Sequence, residues 1–327
     1  MSAAERPAAG AGVLPAVGVD VGGTKLAALR LGPGAEVAAE LQCPSPLTAS
    51  DLVAATRRVV AELGGGQPCA VGVGVPGLVG GDGTLLFAPN LPDAAGAELG
   101  AALSGDGHRV WIGNDATAAC WAEHRLGAGR GYRHMLMVTL GTGIGGGLVT
   151  GGTLVEGANN FAGEFGHMLV DPDGPLCGCG RRGCWERYAS GSGLAALAQE
   201  AAASGAAPGL LRAAGGDPST LRGDDVTAAA AAGDGDAMAV MERFAWWVAA
   251  GLANLANAFD PEAIVVGGGL VDAGELLLAP ARRAFAQLVE AASLRREVAI
   301  VAARLGARAG AVGAALLAET AGREPGG

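Results

Sequence analysis

Lysine is almost missing from this chain of 327 residues: of its 22 basic side chains all but one are arginine, and the exception is Lys25. Acidic residues number 32, giving a net charge of −10, and the basic ones form no tract. A polyanionic partner needs a concentrated positive surface, so general binding to nucleic acid or to an anionic membrane is excluded, while a local anion site is not. No run of roughly 18 apolar residues escapes interruption by glycine or charge, which excludes a transmembrane helix despite a mean hydropathy of +0.35. The first 15 residues contain Glu5, Arg6 and Pro7 and no long apolar stretch. No secretory signal is read there, and a cytoplasmic protein is expected. A Gly-x4-Gly-Lys-Ser/Thr string is also lacking, so no P-loop is present.

What is present is a hydrophobic half, enough for one large or two smaller domains, and 58 glycines. The pattern predicts an α/β architecture of alternating strands and helices. Residues 1–14 read as a loose tail. Ala16–Asp20 and Leu26–Leu31 read as strands joined by a turn at Gly22–Gly23. Met135–Leu140 and Leu148–Val149 repeat that shape around residues 141–147, as in a diverged internal duplication. Ser50 and Asp51 are expected to cap a helix presenting Leu52, Val53, Val59, Val60 and Leu63 on one face. Further strands are predicted at Val71–Val75, Val110–Ile112, Ala263–Val266 and 298–303. Helices are predicted from Asn114 to about Arg125 and near 185–204, 237–259, 280–292 and 309–320. Between 204 and 237 the pattern places no element. Trp246 and Trp247 suit core or dimer contact, core being favoured.

Three glycine turns end strands, at 22–25, 141–147 and 267–269. Glycine lets backbone N–H groups approach a phosphate closely, although each turn alone also reads as a tight hairpin. Gly-x-Gly-x-x-Gly strings at Gly141/Gly143/Gly146 and Gly72/Gly74/Gly77 are not followed by a dinucleotide-type helix and are not read as NAD sites. Asp20 suits Mg²⁺, a hard cation, or a turn cap; Lys25 suits a phosphate or a carboxylate. His167-x9-Cys177-x-Cys179-x4-Cys184 offers three thiolates and one imidazole, a complete tetrahedral shell for a structural Zn²⁺. The competing reading is a cysteine redox pair or coincident buried thiols. Cys43, Cys69 and Cys120 read as small apolar residues. Glu164 and Glu186 flank the cysteine block, and its closure would bring them together on a polar pocket floor. Asn114-Asp115 stands at a strand end and helix start, where α/β proteins place ligands. An Asp there suits the base of a phosphoryl transfer, although a helix N-terminus lowers its pKa, and an ordinary N-cap pair is the alternative.

The strings Val19–Lys25, Gly113–Ala116, Leu140–Gly147, Gly163–His167, Cys177–Glu186 and Val266–Gly269 resemble the ROK family (repressor, open reading frame, kinase), and their order and spacing look most like its bacterial ATP-dependent glucokinases. The resemblance covers about residues 16–320. It implies an actin-like (ribonuclease H-like) ATPase fold of two lobes around a cleft, with a small lobe of 15–113 plus about 307–321 and a large zinc-bearing lobe of 114–306. It implies phosphorylation of D-glucose at the 6-hydroxyl by ATP-Mg²⁺, with Asp115 as catalytic base. Asn114, Glu164, His167 and Glu186 would hold sugar hydroxyls, His167 using one ring nitrogen for zinc and the other for sugar, with Gly77 and Asn90 on the sugar-side loops. Asp20, Gly22, Gly23, Thr24 and Lys25 and then Gly141, Thr142 and Gly143 would cradle the phosphates, and Gly267, Gly268 and Gly269 would lie against adenosine. Pro92-Asp93-Ala94 replaces a tryptophan that often follows the Asn-Leu pair in such glucokinases, which bears on sugar selectivity. N-acetylmannosamine, fructose or allose as substrate and polyphosphate as donor stay open. A sugar-sensing repressor of the family would carry a winged helix first. Only 19 residues without basic character precede Asp20, so DNA binding is not expected. A homo-oligomer, dimer or tetramer, is the expected assembly.

Overall fold

Two five-stranded mixed sheets of the same topology organise the computed structural model, which describes residues 14–89 and 91–321. The first half runs β1 (Ala16–Val21), β2 (Lys25–Leu31), β3 (Val37–Pro44), α1 (Ala49–Gly64) and β4 (Ala70–Val75). It continues through a small hairpin of β5 (Leu78–Val79) and β6 (Leu85–Phe87), α2 (Leu99–Gly105), β7 (Arg109–Asn114) and α3 (Asp115–Leu126). The second half runs β8 (Met135–Leu140), β9 (Ile144–Thr150), β10 (Thr153–Leu154), α4 (Glu186–Ala189), α5 (Gly191–Ala203), α6 (Pro208–Ala213) and α7 (Gly223–Ala231). It ends with α8 (Gly235–Phe259), β11 (Ala263–Gly267), α9 (Glu275–Leu288), β12 (Ala299–Ala302) and α10 (Ala309–Thr320). The strand orders are β3-β2-β1-β4-β7 and β10-β9-β8-β11-β12. In each, the first strand forms an antiparallel hairpin on one side and a parallel pair on the other, β1 with β2 and β4, β8 with β9 and β11. The predicted duplication is therefore visible as shared connectivity.

The chain forms these elements for local reasons. β1 and β4 are short apolar runs buried on both faces, as parallel strands covered by helices must be. α1 buries Leu52, Val59, Val60 and Leu63 and ends at Gly65 in the left-handed region. Its cap is Thr48, whose hydroxyl accepts the Asp51 N–H at 3.2 Å, rather than the predicted Ser50 and Asp51. The predicted helix over 185–204 is broken into α4 and α5 because Ser190 leaves helical geometry and caps α5, accepting the Gly193 N–H. Gly145, Gly146 and Gly147 belong to β9, so the second glycine turn is confined to residues 141–143. α9 begins five residues before its predicted start at 280, with Pro280 inside it. β3, the β5–β6 hairpin and α2 are additional to the sequence reading, and α6 and α7 fill the unassigned stretch. Trp246 is 45% exposed on α8, against the core expectation, while Trp247 stacks on Tyr188. The predicted tail, but for Leu14, lies outside the described residues. No described helix is long and apolar enough to cross a membrane.

One contact sets the position of α3, the helix that leads into the second half. α10 returns from the second sheet to pack on β1, β4 and α3. A Cβ on Gly72 would overlap the Ala314 carbonyl, and one on Gly313 the Ala118 carbonyl. Backbone therefore meets backbone there, at a separation only glycine permits.

Candidate functional site

The first turn of α3 is the reference point of the cleft. Asn114, the last residue of β7, caps the helix: its Oδ1 accepts the N–H groups of Ala116 at 2.9 Å and Thr117 at 3.1 Å. Its Nδ2 donates to the Gly77 carbonyl at 3.3 Å, tying the loop after β4 to the same turn. Asp115 follows, with Oδ1 accepting the Ala116 N–H at 2.8 Å. Burial pushes its carboxyl above the ordinary carboxylate range, against the downward pull of that N–H. The helix N-terminus alone would make Asp115 a weaker base, and desolvation outweighs it.

Asp115 lines two cavities. The larger, about 630 Å³, also presents Gly77, Asn114, Glu164, His167, Glu186 and the turn Gly141–Gly143. Leu78, Phe87 and Phe161 give it apolar walls. The second, about 410 Å³, presents Asp20, Gly267, Gly268, Gly269 and the segment from Ala303 to Ala307. Thr139 lines both and accepts the Gly145 N–H through Oγ1 at 3.2 Å. Gly22, Gly23, Thr24 and Lys25 line neither; Gly22 N–H is committed to the Lys25 carbonyl at 2.9 Å, and the Lys25 side chain is exposed. Asn90 lies outside the described residues; its sequence neighbour Pro89 lines the larger cavity. Thr139, Phe161 and Arg181 were not singled out from the sequence. For Arg181 a signal existed, its position between Cys179 and Cys184 in the compact cysteine block.

Acidic groups crowd the junction of the cavities. Burial first, and then the Asp115 charge, push the Asp20 carboxyl up to about 7, and the Lys25 ammonium opposes them. Glu164 is raised by burial; His167 lowers it, and Asp115 and Glu186 add to the rise. Glu186 Oε2 accepts the Ile144 N–H at 2.9 Å, pinning the end of the second glycine turn, while its Oε1 accepts from Cys177 Sγ at 3.7 Å.

His167, Cys177, Cys179 and Cys184 converge with all four ligand atoms within 4.8 Å of one another. Cys179 and Cys184 sulfurs are 3.6 Å apart, near the roughly 3.8 Å edge of a tetrahedron with metal–sulfur bonds of about 2.3 Å. His167 turns Nδ1 to Cys177 at 3.9 Å and Nε2 towards Glu164, also at 3.9 Å, so its two nitrogens face cluster and cavity separately. Gly183, with φ of 67°, lets the loop close against the Asp171 carbonyl where any Cβ would overlap. Between Cys184 and Glu186, Trp185 is wholly buried, fills the space above Gly251 of α8 and donates through Nε1 to the Trp247 carbonyl at 2.7 Å. One buried indole thus fixes both neighbours to the longest helix.

Comparison with known proteins gives a consistent result. The model of the ROK family matches residues 16–321. A glucokinase of Streptomyces coelicolor is 40% identical over 315 residues, spanning 94% of this chain and 98% of its own. An N-acetylmannosamine kinase of Citrobacter koseri is 36% identical over 316 residues, covering 92% and 97%. The crystal structure of a ROK family glucokinase from Streptomyces griseus in complex with glucose and AMPPNP superposes with a TM-score of 0.79 at 41% identity, covering 93% of this chain and 98% of that one.

The elevated Asp20 pKa carries a stability consequence. A carboxyl with a folded pKa near 7 and an unfolded one of 3.8 binds more protons when folded, so its stabilising protonation is lost as pH rises from about 4 to 7. Asp20→Asn is expected to raise the melting temperature of the ligand-free protein by roughly 2–4 °C at pH 7.5, the gain shrinking towards pH 4. A pH-independent change in melting temperature would contradict the assignment.

Proposed function

The chain belongs to the ROK family, and from that premise we propose that it is a glucokinase, an ATP-dependent phosphotransferase that converts D-glucose to glucose 6-phosphate at the entry to glycolysis. The observation that carries this reading is Asp115 at the meeting of two cavities, one lined by hydroxyl-binding side chains and the other by glycines. Sugar occupies the larger cavity. Asn114, Glu164, the His167 Nε2 and Glu186 offer acceptors and donors in fixed directions, with Gly77 on the loop after β4 and Asn90 as a further sugar-side residue. The nucleotide lies along the second cavity with adenosine against Gly267–Gly269. The turn at Gly141, Thr142 and Gly143 approaches its phosphates, and that from Gly22 to Lys25, which lines neither cavity, would meet them when the lobes close.

Catalysis is positioning with charge stabilisation. Asp115 orients the 6-hydroxyl and takes its proton, and desolvation supplies the basicity that a helix N-terminus would remove. With a loose transition state the proton moves late, so orientation matters more than base strength. Asp20 would hold Mg²⁺, which supplies neutralisation of the phosphate oxygens when bound. His167, Cys177, Cys179 and Cys184 would hold a structural Zn²⁺: the donor set is complete, leaves no open position, and keeps Glu164 and Glu186 facing the sugar.

We assign residues 15–113 plus about 307–321 to a small lobe and 114–306 to a large one, closing around the cleft in an actin-like manner. We read the protein as a cytoplasmic homo-oligomer, a reading supported by Met238 and Trp246, two exposed apolar side chains eight residues apart on one face of α8. A second reading, a kinase of another hexose or of an N-acetylhexosamine, draws support from the N-acetylmannosamine kinase relative and from the Pro92–Ala94 turn where a tryptophan would narrow the sugar loop.

A coupled kinase assay over a panel of hexoses and phosphoryl donors tests the function. Glucose with ATP is expected to exceed N-acetylmannosamine, fructose and polyphosphate combinations by at least about tenfold in kcat/KM; equal rates would reduce the assignment to a general sugar kinase. Elemental analysis is expected to return about one zinc per chain, and Cys184→Ser to lose it while lowering thermal stability and glucose affinity together. Metal-free native protein with full glucose affinity would refute the zinc scaffold.

A further inference from the structure

Glu123 is a fully buried carboxylate on α3, eight residues and roughly 12 Å along the helix from Asp115. Among the described residues no ion pair involves it. Its two oxygens are instead saturated by backbone. Oε2 accepts the Ala128 N–H at 2.7 Å, and Oε1 accepts the N–H groups of Arg304 at 2.8 Å and Leu305 at 2.7 Å. The Glu123 carbonyl adds bonds from Gly127 at 3.0 Å and Gly129 at 2.9 Å.

Those donors lie at two particular places. Ala128 is on the segment by which the chain leaves the first sheet for the second, and Arg304 and Leu305 are on the segment by which it returns to α10. Arg304 also lines the second cavity, between Ala303 and Gly306. We propose that Glu123 is a positioning residue that clamps both crossings between the two sheets to the helix bearing Asp115, and so fixes the nucleotide-side wall of the cleft relative to the catalytic base. The inference rests on the reading of that cavity as the nucleotide site.

A carboxylate is required by count. Three N–H groups demand two acceptor oxygens, and glutamine has one, so Glu123→Gln turns an N–H donor towards an N–H donor at one crossing or the other. An exposed helix acid would tolerate the same change with little effect. Gly127 offers an independent handle, because a Cβ there would overlap the Glu123 carboxylate and displace it without removing its charge.

The test is titration calorimetry of Mg²⁺-ADP and of glucose, with steady-state kinetics, on native, Glu123→Gln and Gly127→Ala proteins. Both variants are expected to bind ADP at least about fivefold more weakly, to raise KM for ATP in proportion and to lower kcat about tenfold, while glucose affinity stays within about twofold. A purely structural role would lower the melting temperature and leave ADP affinity unchanged in the folded variant, and that result overturns the proposal. Should neither variant fold, amide exchange in the native chain decides: slow exchange at Ala128, Arg304 and Leu305 supports the clamp, and fast exchange at these positions contradicts it. ADP binding needs no sugar turnover. A native protein that binds ADP and fails to phosphorylate glucose would therefore sink the glucokinase reading and leave the clamp to be judged by its own measurements.

Discussion

The Asn114 side chain is the bond on which the cleft depends. Its oxygen closes the open N–H groups of the first turn of α3, and its amide nitrogen holds the Gly77 carbonyl. Asp115, the next residue, is thereby held at the turn where it lines both cavities. Everything else in the cleft is positioned with respect to that turn. The α10 backbone, seated on Gly72 of β4 and meeting the Ala118 carbonyl of α3 through its own Gly313, sets the height of α3, and Glu123 holds the last turns of α3 against both chain crossings. From the opposite side, Trp185 anchors the cysteine loop to α8, and Glu186 reaches from that loop to the Ile144 N–H. Two anchored walls and one anchored helix end make a site of fixed geometry, the condition under which positioning catalysis works.

Electrostatics explains how an acidic chain is suited to an anionic nucleotide. The overall field is unfavourable, so attraction must come from oriented N–H groups and local cations. Lys25, the lone lysine, lies outside both cavities, and its influence within the site is exerted on Asp20, whose carboxyl it lowers against burial and Asp115. The elevated Asp20 pKa follows from burying one acid beside another, Asp115, at the same end of the cleft.

Much of this was legible in the sequence where the signal is local. The hairpins around Gly22–Gly23 and Gly141–Gly143, the Asn114 cap and the spacing of Cys177, Cys179 and Cys184 are contiguous patterns, and the structure brings those residues to strand ends, a helix start and one cluster. What the sequence hid depends on distant neighbours. Asp115 reads as a weak base from its helix position and becomes a stronger one only through burial by residues from both halves. Glu123 reads as an ordinary helix acid, since nothing nearby in sequence reveals that Arg304 and Leu305 will close over it. β3 alternates half-buried and exposed residues, a period-two strand signal without the continuous apolar run that marks β1 and β4, and Ser190 escapes notice because a capping serine inside an alanine-rich stretch looks like continuous helix.

Asp115 as the proton acceptor is the central claim, and paired measurement of turnover and binding in Asp115→Ala tests it most directly. Glucose-dependent ATP turnover is expected to fall by roughly a thousandfold or more, in the range of general-base losses, while glucose affinity by calorimetry changes no more than about fivefold. Near-native turnover in a folded variant that still binds glucose would contradict the account.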